Sequence, residues 1–283
     1  MSKGLIITND YLSLQSIDYC TDRLQAAAER KGVGISVFSG SKAAAEFDSI
    51  ISYMPDFVIM RDKFPVLAKA FEYRGIPVFN SSDTIRICDD KAEMSVTLES
   101  QGISRPLTLI SPQTYGNKIG EDFIRQVADR IQFPVIVKKT RSSYGMGVFK
   151  ADNYSELRKF ANFTESIVFE EYIPYPFGQD IRVFVVGDKI TGAMRRKGRK
   201  GDFRSNIELG GTAEKVAIDE NIKELAFAAI KAVGADYGGV DIIDCAEPVV
   251  IEVNASAGFR EMDRANNTDT AAYIIDYIME KIR

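Results

Sequence analysis

Asp241 in the run GGVDII, and Glu252 with Asn254 in the run VIEVNAS, are the residues whose types and spacing speak most directly of chemistry. Side chains two apart on a strand point to the same face, so Glu252 and Asn254 share one. If the two strands pair, Asp241 can join them, and two carboxylates and an amide oxygen converge. Such hard oxygen donors suit Mg²⁺, which keeps waters and phosphate oxygens as its other ligands. The alternative is a pair of edge-strand carboxylates facing water; the surrounding Val, Ile and Gly favour a buried sheet instead. A second candidate is Lys138, which leaves a β-rich run into a loop holding Ser142, Ser143, Gly145 and Gly147. A lysine beside several backbone N–H groups can hold a polyphosphate, although many Gly-rich hairpins are only turns. The loop matches neither GxxxxGK[ST] nor a helix-opening GxGxxG. The third candidate is the basic run Arg195, Arg196, Lys197, Arg199, Lys200 and Arg204. It reads either as a solvated loop or as arginines poised to stabilise charge on a transferred phosphoryl group.

What the sequence lacks narrows the chemistry further. It contains no histidine, which removes Ser-His-Asp and Cys-His catalysis, HExxH zinc sites and phosphohistidine intermediates. Proton transfer falls to Asp, Glu, Lys, Arg, Tyr, a metal ion or the substrate. Cys20, Cys88 and Cys245 form no CxxC pair, which argues against a disulfide framework or thiolate zinc site and for a reducing cytoplasm. With 36 basic and 40 acidic side chains the net charge is -4, so direct nucleic-acid binding by bulk charge is not expected. The start MSKGLIITND lacks the apolar core and cleavage site of a signal peptide. No later stretch is long enough to span a bilayer, and no membrane partner is expected. At 283 residues, 45% hydrophobic and 27% charged, the chain reads as a soluble enzyme of two or three lobes.

The elements that must position these residues follow from periodicity. Strands are expected at 4–8, 34–38, 57–60 and 76–79, with helices at 16–31 and 64–73 between them. That alternation predicts a small, mostly parallel α/β sheet. A helix is expected from about 89 to 102, then an extended segment at Pro106 and an amphipathic helix over 121–131. The run 133–138, the turn-rich RSSYGMG stretch and the strand 148–150 predict a hairpin, followed by a helix at 155–163. A strand at 167–173 enters the PYPFG loop. Strands at 181–186 and 189–194 flank Gly187-Asp188 as a hairpin turn. A helix at 221–233, strands at 239–243 and 248–253, and a closing helix at 270–282 complete the chain.

In this order the motifs resemble those of the ATP-grasp superfamily, specifically its ribosomal-protein glutamate ligase (RimK-type) family. The matches are DDK at 89–91, FPVIVK at 133–138, YGMGV at 144–148, FEEYI at 169–173, GQDIRVFVVGD at 178–188, GDFRSN at 201–206, GVDI at 239–242 and EVNASAG at 252–258. The resemblance implies an α/β ATP-grasp fold of α+β lobes behind a Rossmann-like N-terminal domain. The lobes are expected at 1–88, 89–168 and 169–283, the middle one a lid carrying the phosphate loop. Lys91, Lys138 and Ser143 would then contact ATP, with Glu170, Glu171, Tyr172 and Ile173 as the adenine hinge and Asp180 on the ribose hydroxyls. Arg204, Ser205 and Asn206 would lie at the nucleotide and reacting carboxylate, with Arg182 and Arg195 as further electrophilic stabilisers. Asp241, Glu252 and Asn254 would hold two Mg²⁺ ions, with Mn²⁺ as a substitute, and Ser256 and Arg260 would touch substrate.

The implied reaction activates a carboxylate as an acyl phosphate and joins it to the amine of an amino acid, by analogy glutamate, on a protein, peptide or cofactor acceptor. Relatives commonly assemble from identical subunits. Three departures stand out, one of them that the tail FREMDRANNTDTA lacks the family's usual TG-containing stretch. The phosphate loop reads Arg141-Ser142-Ser143-Tyr144, where relatives more often carry an acidic residue, Gly, Thr and Gln, and Ala257 replaces a common proline. Two rival readings keep the fold: a kinase phosphorylating a small hydroxylated polyanion, and a non-catalytic nucleotide-binding protein.

Overall fold

The computed structural model describes residues 2–12, 15–163, 165–174 and 176–283; Tyr175 of the PYPFG loop lies outside them. The N-terminal part alternates β1 (Lys3–Thr8), α1 (Gln15–Glu29), β2 (Gly34–Ser39), α2 (Gly40–Ala45), α3 (Phe47–Ile51), β3 (Phe57–Arg61), α4 (Pro65–Tyr73) and β4 (Val78–Phe79). All pairings are parallel, in the order β2-β1-β3-β4. β3 is buried on both faces, hence its unbroken apolar run. α1 turns Cys20, Leu24, Ala27 and Ala28 inward at helical spacing. The short α2 and α3 fill the crossover to β3, where no helix was expected.

Next come α5 (Ser82–Asp89) and α6 (Lys91–Ser100). The helix expected from about 89 to 102 is α6, and α5, where no helix was expected, ends just before Asp90. Its backbone is extended and its carboxylate accepts from the N–H groups of Ala92 (3.0 Å) and Glu93 (3.3 Å), which makes it the cap of α6. The middle lobe holds β5 (Thr108–Ile110), α7 (Glu121–Arg130), β6 (Val135–Lys139), β7 (Val148–Ala151), α8 (Tyr154–Phe160) and β8 (Ile167–Glu171). Its sheet, β5-β8-β6-β7, is antiparallel throughout. α7 and α8 cover one face with Ile124, Val127 and Leu157. The boundary expected between residues 168 and 169 falls inside β8, which pairs with β5 and β6 along its length.

The last lobe is an antiparallel sheet of β9 (Gln179–Val186), β10 (Lys189–Lys197), β11 (Thr212–Lys215), β12 (Tyr237–Ile243) and β13 (Val249–Asn254), in the order β11-β10-β9-β12-β13. A single-turn helix (Ile207–Leu209) precedes β11, α9 (Glu220–Ala232) follows it, and α10 (Arg260–Asn266) and α11 (Thr270–Lys281) close the chain. Alternation along β9 explains how this sheet carries chemistry. Ile181, Val183 and Val185 pack under α9 and α6. On the other face Phe184 and Val186 join a core shared with α1 and α11, while Asp180 and Arg182 continue that same face into an open cleft. One strand face is thus apolar at one end and ionic at the other.

Candidate active site

The cleft lies between the three lobes, with a volume of about 440 Å³. Its floor is a row of charges laid out by strand register. Arg196 on β10 stands opposite Asp180 on β9; Arg182 on β9 stands opposite Asp241 on β12; Asp241 stands opposite Glu252 on β13. Arg182 grips Asp241 with Nε at 2.6 Å from Oδ1 and Nη2 at 2.7 Å from Oδ2. Arg196 does the same to Asp180, at 2.7 and 2.5 Å, and its Nη2 also lies 2.9 Å from Asp241 Oδ2. Ser205 donates its hydroxyl to Asp180. Burial alone would raise the pKa of Asp241, but the Arg182 and Arg196 charges outweigh it and hold the carboxyl below its ordinary range. Burial likewise works against the Arg196 charge, and Asp180 and Asp241 more than restore it.

The roof is the loop between β6 and β7. Gly145 sits at φ +72°, and a Cβ there would meet Asn206 Oδ1 at 2.8 Å, so only glycine lets the loop tip close on Asn206. Arg204 Nη1 donates to the Gly145 carbonyl at 3.0 Å while its Nε and Nη2 hold Asp202 at 3.0 and 2.9 Å. From below, Lys91 Nζ donates to the Ser142 carbonyl at 2.9 Å and lies 3.6 Å from Glu252 Oε1. Ser143 lines the cleft beside it. At the side, Lys138 Nζ is 2.5 Å from Glu170 Oε2. Glu171 Oε1 accepts from the Leu107 N–H at 2.8 Å, fixing the strand end that presents Tyr172 and Ile173.

Most of the expected residues meet in this cleft: Lys91, Lys138, Ser143, the 170–173 stretch, Asp180, Arg182, Arg204, Ser205, Asn206, Asp241, Glu252, Asn254, Ser256 and Arg260 all line it. Ser256 donates to the Met60 carbonyl at 3.3 Å, and Arg260 Nη1 donates to Gln15 at 3.0 Å. One expectation needs correction. Arg195 does not reach the cleft: β10 runs on to Lys197, alternation puts Arg195 on the side of Ala193, and its Nη2 bonds Asp244 at 3.1 Å. Its neighbour Arg196, expected only as part of the basic run, is the arginine that enters. Asp180, expected on the ribose hydroxyls, has its carboxylate bonded to Arg196 and Ser205. A residue without an expected role, Arg61 at the end of β3, also lines the wall. The signal for Arg196 was strand parity, and for Arg61 the arginine that ends the apolar run FVIM.

The donor set on the floor fits a divalent cation. Among the described residues no group of three or more acidic or thiol side chains is placed to hold a metal. The cleft instead offers two carboxylates and an amide, the sparse oxygen set Mg²⁺ accepts when phosphates and waters complete its shell. Asn254 spends its Nδ2 on Asp241 Oδ2 at 3.3 Å, which leaves its amide oxygen for a cation. Arg182, Arg196 and Lys91 now offset the carboxylates electrostatically.

Known proteins are similar to this chain in sequence and in fold. The pattern described as RimK-like ATP-grasp domain matches residues 88–278. A Shewanella amazonensis protein named probable alpha-L-glutamate ligase 2 is 37% identical over 76% of this chain and 71% of its own length. Probable alpha-L-glutamate ligase 1 of Shewanella oneidensis is 32% identical over 93% of this chain and 92% of its own. The crystal structure of a RimK domain ATP-grasp protein from Sphaerobacter thermophilus superposes with a TM-score of 0.74 at 20% identity, over 96% of this chain and 98% of that one. With that pattern spanning the middle and last lobes, and near full-length relatives sharing the sequence, this chain belongs to the RimK-like ATP-grasp family.

Proposed function

We propose that this protein adds glutamate to a free carboxyl group of a protein C-terminus, a peptide or a carboxylate cofactor. As a family member it is an ATP-dependent carboxylate–amine ligase. The observation that carries the reading is the floor of the cleft, where Asp241, Glu252 and Asn254 stand beside Arg182 and Arg196 beneath a Gly-rich roof.

In this reading Asp241, Glu252 and Asn254 hold two Mg²⁺ ions, replaceable by Mn²⁺. Bound there, the metal supplies neutralisation of charge on the β- and γ-phosphate oxygens. Lys91 and Lys138 exchange their present carboxylate partners for phosphate oxygens, and the 170–173 stretch receives the adenine. Arg182 and Arg204 face the reacting carboxylate, offsetting charge first in phosphoryl transfer and then at the tetrahedral centre formed by the amine. Arg196 holds Asp180 and Asp241 in place. The lid carrying Ser143 and Gly145 keeps water from the acyl phosphate. With no histidine in the chain, the leaving phosphate or a carboxylate takes the amine protons. No helix of the described residues is long and apolar enough to cross a membrane; we place the enzyme in the cytoplasm as an assembly of identical subunits.

The test is product analysis. Purified protein with Mg·ATP, glutamate and a panel of peptides with free C-termini should release ADP and phosphate and yield an amide adduct by mass spectrometry. Release of AMP, or a phosphorylated product without an amide, contradicts it.

A further inference from the structure

Arg61 ends β3 beside β1, where chain order in the N-terminal sheet reverses. At such a point adjacent strands leave a crevice beyond their carboxyl ends, a recurrent place for ligands. The residue is 8% exposed. Its Nη2 donates to the Ala257 carbonyl at 3.1 Å, its guanidinium lies 5.7 Å from the Phe259 ring centre, and its Nη1 has no hydrogen-bond partner. Burial raises the pKa of the Tyr237 phenol, opposed by the charge and a side-chain hydrogen bond of Arg61, while its hydroxyl donates to the Phe79 carbonyl at 3.2 Å. Every other cationic side chain lining the cleft has a carboxylate within 3.6 Å. Among the described residues Arg61 has none. The adjacent Asp62 accepts instead from Asn9 Nδ2 at 2.9 Å and the Lys63 N–H at 2.7 Å. A buried guanidinium without a counter-ion is costly, and an incoming anion relieves the cost.

The lid points to the same spot. Tyr144 sits at φ +57°, an unusual backbone for a bulky residue. Its half-buried phenol has its pKa raised by burial and by the Glu208 charge, opposed by the charges of Lys63, Arg61 and Arg182, and it lines the cleft together with all four.

We propose that Arg61, assisted by Lys63, is the subsite for a free carboxylate of the amino-acid substrate, held at the carboxyl edge of the N-terminal sheet with Tyr144 as its cover. This rests on the ligase reading above and adds to it a recognition site outside the last two lobes.

Calorimetric titration of glutamate, glutamine and glutamate α-amide into protein saturated with Mg·ADP tests the subsite without an acceptor. Glutamate is expected to bind, and Arg61→Met to weaken it about 10- to 100-fold while ADP affinity stays within about twofold. Arg61→Lys should recover part of the loss. If the α-amide binds wild-type protein as poorly as glutamate binds Arg61→Met, the α-carboxylate is the group held; if glutamine does, it is the side-chain carboxylate. Equal binding of all three probes, no glutamate binding, an unchanged Arg61→Met, or ADP affinity falling in step with glutamate affinity would overturn the proposal. Should Arg61→Met not fold, the amide comparison on wild-type protein decides alone. Failure of the ligase reading shows separately, as ATP consumption by wild-type protein without amide product.

Discussion

The floor and the roof of the cleft are built on opposite principles. The floor charges are fixed by strand register: Arg196, Asp180, Arg182, Asp241 and Glu252 face one another across four hydrogen-bonded strands, with Asp180, Asp241 and Arg196 buried. The roof loop is held by scattered contacts, Arg204 to Gly145, Lys91 to Ser142 and Arg141 to Asp90, and carries left-handed backbone at Tyr144 and Gly145. Groups that must sit accurately around a metal and a triphosphate belong on the rigid sheet, whereas the segment that admits and covers substrate must open. The difference also separates two kinds of sensitivity: floor changes should damage chemistry or folding, and roof changes should act on nucleotide binding.

The largest expected effect is at Glu252. Glu252→Ala should lower kcat by about 10³-fold or more in an ADP-release assay, because it removes one of two carboxylates from a metal-assisted phosphoryl transfer. Next, Arg196→Met should destabilise the protein by about 3–5 kcal/mol, since it leaves Asp180 and Asp241 buried with less compensation; urea denaturation measures it. A loss under about 1 kcal/mol would show that the floor network is not rigidly coupled. On the roof, Gly145→Ala forces a Cβ against Asn206 and into a left-handed backbone that costs about 1–2 kcal/mol. It should raise KM for ATP about 3- to 10-fold, with global stability lowered by no more than that strain. Smallest of all, Arg195→Ala should change kcat less than about twofold, as expected for a side chain on the far face of β10.

The contrast between Arg195 and Arg196 also marks how far sequence reading reached. Glu252 and Asn254 were readable because a period of two fixes them to one strand face, and the GVDI strand had only to pair beside them. The two arginines stood at the edge of an expected strand ending at 194; the strand runs to Lys197, and only its full length sets which arginine faces Asp180. Arg61 was harder still. Its strand was read to Met60, and its meaning depends on Ala257, 196 residues away in the chain. The parallel N-terminal sheet and the β9–β10 hairpin were legible from alternation and from Gly187. The start of α6 at the DDK run was legible too, but α5 before it was not, because its eight residues run straight into the capping Asp90. The middle sheet was half seen: β5 is three residues long, too short for a periodic signal.

A crystal grown with ADP and Mn²⁺, read by anomalous scattering, addresses the floor most directly. The expected result is a metal peak within about 2.5 Å of oxygens from both Asp241 and Glu252, with Asp241 released from at least one of its two arginines. A metal bound only to nucleotide and water, with Asp241 still gripped by both Arg182 and Arg196, would contradict the assignment of this row of charges as the seat of catalysis.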